Sequence, residues 1–117
     1  MKLAIVGAVI LKDSPHEVKD IIRSEINRLK PTEIISGGAE GVDTFAEEVA
    51  NELGLKKTIF LPEKKCWEFF KKRNIQIANE CDQLLRIASD RSKTYGSGWT
   101  RDRAVEMGKP TKEFRLP

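Results

Sequence analysis

The segment S-G-G-A-E-G-V-D, residues 36–43, has the residue types and spacing best suited to binding a ligand. Gly37, Gly38 and Gly41 lie between a short apolar run and a helical pattern. Glycine lets the backbone turn tightly and leaves the amides of the turn open to an anion. The helix that follows adds the partial positive charge of its N-terminus. The segment predicts a loop that binds phosphate or ribose, with a plain strand-to-helix turn as the alternative.

Asp43 stands in the first turn of that predicted helix. A carboxylate there complements the helix dipole, caps the loop or holds a ribose hydroxyl, and the residues leave these roles open. The glycine spacing differs from the G-x-G-x-x-G dinucleotide motif, and no Gly-Lys-Ser/Thr follows as in a Walker A motif.

A second glycine-bearing segment, G-S-G-W-T at 96–100, ends a polar loop (residues 89–99) and precedes another helical pattern. Two such segments at one edge of a sheet suggest that one holds a phosphate and the other a sugar or a second phosphate. Trp99 offers a flat face on which a base stacks. Packing at the start of the helix is the alternative for this side chain, with equal weight.

Arg73 and Asn74 lie in the middle of a predicted helix, residues 67–80. Asn74 falls between Phe70 and Ile77 on the apolar stripe, so its side chain is predicted to face the sheet. A buried amide needs hydrogen-bond partners. Asn74 therefore either contacts the ligand or ties down a neighbouring loop.

The composition indicates a globular chain that buries a core. Its 117 residues are 39% hydrophobic and 33% charged, which fits one domain, residues 1–117. The net charge of +3 is small for a nucleic-acid-binding protein. His16 is the only histidine, and Cys66 and Cys81 match no zinc spacing, so neither a metal nor a cofactor is predicted. Reduced cysteines favour the cytoplasm, and Cys81 is expected in the core.

Hydrophobic periodicity predicts strands that alternate with helices. The predicted strands are Leu3–Val6, Glu33–Ser36, Thr58–Leu61, Gln83–Ala88 and Thr111–Leu116. The predicted helices begin after Ser14 and at residues 42, 67 and 100, and Gly54 and Gly108 are expected to cap the second and fourth. The apolar run at 3–11 is too short to cross a membrane and is interpreted as a buried first strand, so no membrane partner is expected.

Ser14, Pro15 and Glu17 predict how the first helix begins. Serine is a good N-cap, proline suits the first helical position, and the glutamate completes a capping box.

The predicted fold class is α/β, a Rossmann-like doubly wound sheet of five parallel strands with helices on both faces. Right-handed crossovers give the strand order 3-2-1-4-5, which reverses beside the first strand. Ligands bind beyond the carboxyl ends of such strands, near the reversal. The loops after strands 1, 2 and 4 are therefore expected to meet in one crevice.

Three segments resemble the SLOG-type Rossmann-like superfamily, which includes the DNA-processing protein A (Smf) domain and the LOG phosphoribohydrolases. The segment 36–50 resembles the signature S-G-G-A-x-G-V-D-x-x-A-x-x-x-A. R-N-I-Q-I-A-N-E-C-D-Q-L-L-R-I-A and G-S-G-W-T-R-D-R-A-V-E-M-G-K-P resemble later segments of the small members. The resemblance covers nearly the whole chain, in order.

The resemblance implies a ligand derived from a nucleotide, such as a nucleotide, a nucleoside phosphate or an ADP-ribose-like molecule. Together with the loop residues, the predicted ligand-binding set is Gly7, Ser36, Gly37, Gly38, Ala39, Gly41, Val42, Asp43, Arg73, Asn74, Gly96, Ser97, Gly98, Trp99 and Thr100. Relatives commonly form dimers, which implies a homodimer or a larger homo-oligomer.

Two departures from the family patterns bear on function. Small members have Gly-Ser-Arg after the first strand, whereas this chain has Gly7-Ala8-Val9, without a cation or a hydroxyl. The LOG enzymes have P-G-G-x-G-T-x-x-E, and residues 96–103 offer no glutamate in that register. Phosphoribohydrolase activity by the LOG mechanism is therefore not expected.

Three functions remain open, and the first is a module that binds or senses a nucleotide derivative. The second is an enzyme that cleaves or transfers an N-glycosidic bond, with Asp43 as the carboxylate and Asn74 as its helper. The third is binding of single-stranded DNA, with bases stacked on Trp67, Tyr95 and Trp99. Because the lysine pairs at 64–65 and 71–72 are interpreted as a solvated face, only weak binding of single strands is expected.

Overall fold

The computed structural model describes residues 1–93 and 95–117. The strands are β1 (Lys2–Gly7), β2 (Glu33–Ser36), β3 (Lys56–Ile59), β4 (Gln83–Ser89) and β5 (Thr111–Leu116). The helices are α1 (Pro15–Leu29), α2 (Val42–Glu52), α3 (Trp67–Glu80) and α4 (Gly96–Glu106), and a 3₁₀ helix, Val9–Asp13, follows β1. The predicted polar loop at 89–99 includes Thr94, which lies outside the described residues.

The five strands form one sheet in the order β3-β2-β1-β4-β5, and every neighbouring pair is parallel. The predicted fold class and strand order are confirmed. In the centre, β1 pairs with β2 on one side and with β4 on the other, with Ala4 opposite Ile35 and Leu84. None of the helices in the described part of the chain is long and apolar enough to span a membrane.

The core has one layer on each face of the sheet, because the side chains of a strand alternate between the two faces. Leu3 and Ile5 of β1 pack among the buried side chains of α1 and α2. Ala4 and Val6 face the other way, onto Ile77 of α3 and its neighbours. Strands that are covered on both faces have continuous apolar sequences, which is why the short apolar run of β1 predicts a strand.

The edge strand β3 begins and ends two residues before the predicted Thr58–Leu61. Its position is set by pairing with β2, where Lys56 lies opposite Glu33 and Ile59 opposite Ser36. Edge strands are half exposed, so the hydrophobic pattern does not locate their ends well. Leu61, which the prediction included, lies beyond the strand and is 67% exposed.

Helix α4 begins at Gly96 rather than at the predicted Thr100. The amide of Trp99 donates to the carbonyl of Tyr95 at 2.8 Å, so the G-S-G-W segment forms the first turn of the helix instead of a loop. Glycine has a low helix propensity, which hid this turn in the sequence. The helical pattern of this segment predicts that Met107 faces inward, but Met107 is 38% exposed.

The ends of the helices differ from the predictions in detail. Pro15 occupies the first turn of α1 as predicted, but the Ser14 side chain makes no capping hydrogen bond within the described residues, so the capping box is absent there. The amide of Ser14 donates to Leu11 instead, as the end of the preceding 3₁₀ helix. The C-cap residues of α2 and α4 are Leu53 and Met107, each one position before the predicted glycine.

Candidate functional site

A cavity of about 510 Å³ lies beyond the carboxyl end of β1, between the N-terminal ends of α2 and α4, with α3 as its third wall. It occupies the place where the strand order reverses, which is where the sequence predicted a crevice. Its lining consists of Val6, Gly7, Ala8, Val9, Ala39, Asp43, Trp67, Phe70, Arg73, Asn74, Ile77, Tyr95, Gly96, Ser97, Trp99 and Thr100.

The cavity brings together residues from all three predicted loops and from α3. The predicted ligand residues in its lining are Gly7, Ala39, Asp43, Arg73, Asn74, Gly96, Ser97, Trp99 and Thr100. The predicted residues that do not line it are Ser36, Gly37, Gly38, Gly41, Val42 and Gly98. Of residues 36–42, only Ala39 lines the cavity.

The glycine at position 38 is needed for the backbone conformation, not for the cavity. Gly38 has a φ of 72°, and a Cβ built there would lie 2.4 Å from Leu61 Cδ2 and 3.1 Å from Ile59 Cγ2. A side chain at this position would therefore meet the segment after β3, not a molecule in the cavity. At this position the absence of a side chain leaves room for Leu61 and Ile59, and the predicted opening of the loop amides to an anion gains no support from it.

The amides of the glycine loop are partly used by the chain itself. The amide of Gly38 donates to Ser36 Oγ at 3.2 Å, and the amide of Ala39 donates to Asp43 Oδ2 at 3.3 Å. The Ser36 hydroxyl in turn donates to Glu47 Oε2 at 2.5 Å. These two amides are not available to an anion while the bonds are in place. Asp43 caps the loop, one of the roles that the sequence left open.

Asp43 also lines the cavity, and its carboxyl group is buried. Burial raises the pKa of Asp43 from 3.8 to about 7, against the opposing effects of the Ala39 amide and the Arg73 guanidinium; the neighbouring Glu47 adds to the rise. A carboxyl group with a pKa near neutrality exchanges its proton at physiological pH, and such groups are concentrated at functional sites.

Arg73 and Asn74 connect α3 to the glycine loop. Arg73 donates from Nη1 to the carbonyl of Gly37 at 2.5 Å and from Nε to Asn74 Oδ1 at 2.8 Å. Asn74 is buried, as predicted, and its partner is this guanidinium. Burial lowers the pKa of Arg73, and the Asp43 carboxylate partly offsets that effect. The pair brings a cation to the cavity wall and holds it against the loop.

Aromatic side chains form the opposite part of the lining. Trp67 and Trp99 meet edge to face, with ring centroids 5.7 Å apart and planes at 90°. Phe70 and Tyr95 extend this surface, and Trp67 is 49% exposed at the opening. Flat aromatic faces of this kind accept a nucleobase or another planar ring.

The sequence prediction missed Arg86, which lies in the middle of β4 and is 5% exposed. Its Nε donates to Ser97 Oγ at 3.0 Å, and its Nη1 donates to Glu113 Oε1 at 2.7 Å. The guanidinium also lies 5.4 Å from the ring centroid of Tyr95. The signal was available, because one arginine interrupts an otherwise apolar strand sequence, L-L-R-I-A.

The chemistry open to this site is that of its polar groups and helix ends. Within residues 1–93 and 95–117, no three His, Cys, Asp or Glu side chains cluster in a way that would hold a metal ion. The lining combines one carboxyl group, one guanidinium, one carboxamide, three hydroxyls and the start of α4 with a larger apolar and aromatic surface. Such a lining suits a molecule that has a flat apolar part and an anionic part.

Comparisons with known proteins reveal a similarity in structure. No family model and no curated protein matches the chain. The chain is similar to DNA processing protein A (DprA) from Streptococcus pneumoniae, whose structure was solved by X-ray crystallography, with a TM-score of 0.74 and 26% sequence identity. The match covers 99% of this chain and 50% of that one, so the chain spans half the length of this neighbour.

The match therefore relates the whole described fold, including the strands and helices around the cavity, to one half of a longer protein. The resemblance seen in the sequence motifs is confirmed: the chain has the SLOG-type Rossmann-like fold and is similar, over nearly its whole length, to DNA processing protein A.

Proposed function

We propose that the chain binds a nucleotide-derived ligand in the cavity at the end of β1 and acts as a binding or sensing module. One observation carries this proposal: aromatic side chains and helix N-termini face the same cavity of about 510 Å³. That volume lies within the range of about 300–1,000 Å³ that is typical of small-molecule sites.

The two kinds of surface suit the two parts of a nucleotide. Trp99 and Trp67 offer faces and edges for a base. The start of α4, with Ser97 in its first turn, offers a partial positive charge and a hydroxyl for a phosphate group. The Arg73 guanidinium adds a full positive charge nearby. We therefore place the phosphate of the ligand beside α4 and Arg73, rather than on the amides of the 37–41 loop.

The test is equilibrium binding of AMP, ATP and ADP-ribose, followed by tryptophan fluorescence and by calorimetry. Trp99→Ala is expected to weaken binding by about tenfold or more, because stacking of one base contributes about 1–3 kcal/mol. Val105→Ala is the matched control, since Val105 is exposed on the same helix and outside the cavity lining. If none of these nucleotides binds to the wild-type chain, the proposal is wrong.

A second candidate function is catalysis at an N-glycosidic bond, and the raised pKa of Asp43, to about 7, favours it. A protonated carboxyl group in a cavity can donate its proton to a departing base, which is general acid catalysis. The test is release of free base from nucleotides, followed by chromatography. Activity that persists in Asp43→Asn would exclude Asp43 as the acid.

A third candidate is binding of single-stranded DNA, which the similarity to DNA processing protein A favours. Trp67 is half exposed at the opening of the cavity, and Lys64 and Lys72 flank the ring of Phe69 at 5.7 and 5.1 Å. If a strand follows this surface, log K should fall by about 0.7 per neutralised phosphate with log salt. Binding that depends weakly on salt and is unchanged in Lys64→Glu would argue for the small ligand instead.

A further inference from the structure

Arg86 is a charged side chain in the middle of a buried strand. The other residues of β4 from Leu84 to Ala88 are apolar and buried, whereas Arg86 shares their burial and keeps its charge. Its Nε–H donates to Ser97 Oγ at 3.0 Å, and Nη1 pairs with Glu113 at 2.7 Å. Arg86 does not line the cavity, but its hydrogen bond reaches Ser97, which does.

The contact determines which way the Ser97 hydroxyl acts. A serine hydroxyl has one hydrogen and two lone pairs, and its hydrogen rotates to suit its neighbours. Because one lone pair of Ser97 accepts from Arg86, the hydrogen points away from the guanidinium. Within the described residues, Ser97 Oγ donates no hydrogen bond to another group of the chain, and Ser97 lines the cavity.

Thr100, one turn further along α4, has the opposite arrangement. Its hydroxyl hydrogen is used in a bond to the carbonyl of Gly96 at 3.0 Å, so only its lone pairs remain for a molecule in the cavity. The Ser97 and Thr100 hydroxyls therefore differ in polarity. Ser97 is a donor toward the cavity and Thr100 is an acceptor.

We propose that Arg86 is a positioning residue that makes Ser97 a hydrogen-bond donor to an anionic oxygen of the ligand, so that the site selects phosphorylated over unphosphorylated nucleosides. This inference rests on the proposed nucleotide function and assigns the class of ligand and the residue behind Ser97. Donation to a charged oxygen is stronger than donation to a neutral one, and it is strengthened further when the donor itself accepts from a cation.

Neutralising Glu113 does not by itself explain why Arg86 is buried. Glu113 also accepts from Arg101 at 2.5 Å and from Arg115 at 3.1 Å. Buried ion pairs contribute little net stability compared with apolar residues of similar size. An aliphatic residue at position 86 would suit β4, so the features that call for an arginine are its contacts with Ser97 Oγ and with the Tyr95 ring, two groups of the cavity lining.

The experiment measures the affinity of AMP and of adenosine for wild type, Ser97→Ala, Arg86→Met and the double variant. Each single change is expected to weaken AMP binding by roughly tenfold to a hundredfold, the usual effect of one hydrogen bond to a charged group, and to leave adenosine binding nearly unchanged. The double variant is expected to lose no more than Ser97→Ala alone, because both changes remove the same interaction.

Matched controls come from α1, away from the cavity. Arg23→Met removes an arginine that is paired with Glu52, and Ser24→Ala removes a hydroxyl from a residue outside the lining; neither change is expected to alter the preference for AMP. Arg86→Lys is a second variant that keeps the charge beside Glu113 without a donor in the position of Nε. It protects the test against a folding defect of Arg86→Met, and it is expected to lose affinity for AMP as well.

The outcomes separate this inference from the proposed function. If AMP binds and the variants have no effect, or weaken AMP and adenosine equally, the role of Arg86 is wrong while the nucleotide site stands. If neither nucleoside form binds but inorganic phosphate does, and both variants weaken it, the role of Arg86 stands and the nucleotide proposal is wrong. If none of the three probes binds, both are wrong.

Discussion

Replacing Asp43 by asparagine should remove a loss of stability that the wild type undergoes as the pH rises. The carboxyl group is buried, and its pKa is raised from 3.8 to about 7 in the folded chain. Between these two values the unfolded chain has released its proton while the folded chain still holds it. The folded state then binds more protons, so the stability of the wild type falls as the pH rises. Asparagine cannot ionise and avoids this loss, while its side-chain oxygen can still accept from the Ala39 amide.

The size of the effect follows from the width of that pH interval. From pH 5, where the unfolded carboxyl is already ionised, to the folded pKa of about 7 is about two units. Each pH unit corresponds to about 1.4 kcal/mol. Between pH 5 and pH 8, the wild type should therefore lose about 3 kcal/mol of unfolding free energy that Asp43→Asn keeps. Other carboxyl groups titrate in both proteins and cancel in the difference.

The assay is urea unfolding of both proteins at several pH values, followed by tryptophan fluorescence, with the slopes compared to verify that the unfolded states match. Asp20→Asn is the matched control, because it removes an exposed carboxylate from α1 and should leave the pH dependence of the wild type unchanged. Suppose instead that the unfolding free energies of Asp43→Asn and of the wild type differ by the same amount at pH 5 and at pH 8. That result would show that Asp43 is ionised in the folded chain at both pH values. In that case the argument from burial would be wrong.

Other expectations can be checked separately. As the pH rises through about 7, calorimetry should show that AMP binding to the wild type weakens relative to AMP binding to Asp43→Asn, because ionised Asp43 repels the phosphate. The titration of the phosphate itself, whose second pKa is about 6, is common to both proteins and cancels in this comparison. Gly38→Ala should destabilise the fold by about 1–2 kcal/mol, because the backbone at this position is left-handed and the new Cβ meets Leu61. In a double-mutant cycle, Leu61→Ala should remove the part of this destabilisation that comes from the contact with Leu61. Light scattering should give the mass of a dimer or a larger assembly, as the resemblance to SLOG-type proteins implies, and a monomeric mass at tens of micromolar would contradict this. An oligonucleotide should bind more weakly than a mononucleotide at physiological salt in fluorescence anisotropy, and tight binding with a steep salt dependence would favour the DNA candidate.

The sequence predicted the fold well because the central strands are buried on both faces. The apolar run at Leu3–Val6 and the apolar residues on either side of Arg86 in β4 predict buried strands, and the helices between them have clear apolar stripes. The edge strand β3 was displaced by two residues because its pairing with β2, not its hydrophobicity, determines where it lies. The early start of α4 was missed because its first turn contains glycines, which usually disfavour helix.

The site was predicted in part, and the difference has a physical cause. The loops that follow β1, β2 and β4 reach the same crevice because the carboxyl ends of parallel strands share one edge of a sheet. The sequence does not reveal which loop amides are already bonded within the chain, and so it assigned to the 37–41 loop a role that Ser36 and Asp43 partly fill. The arginine that interrupts β4 is visible in the sequence, but its hydrogen bond to Ser97 of α4 joins two elements, and no local pattern predicts it.

The central position of β1 has a consequence for how the chain folds during synthesis. Its neighbour β4 comes late in the chain, and the amide of Lys2 donates to Asp82, 80 residues away. Pairs so distant in sequence close slowly, because the entropy of a long loop is lost before the contact forms. On the ribosome, β1 must wait for this partner until β4 has been made. A nascent chain that stalls after α3 would expose one unpaired edge of the most apolar strand, which is the kind of edge that aggregates.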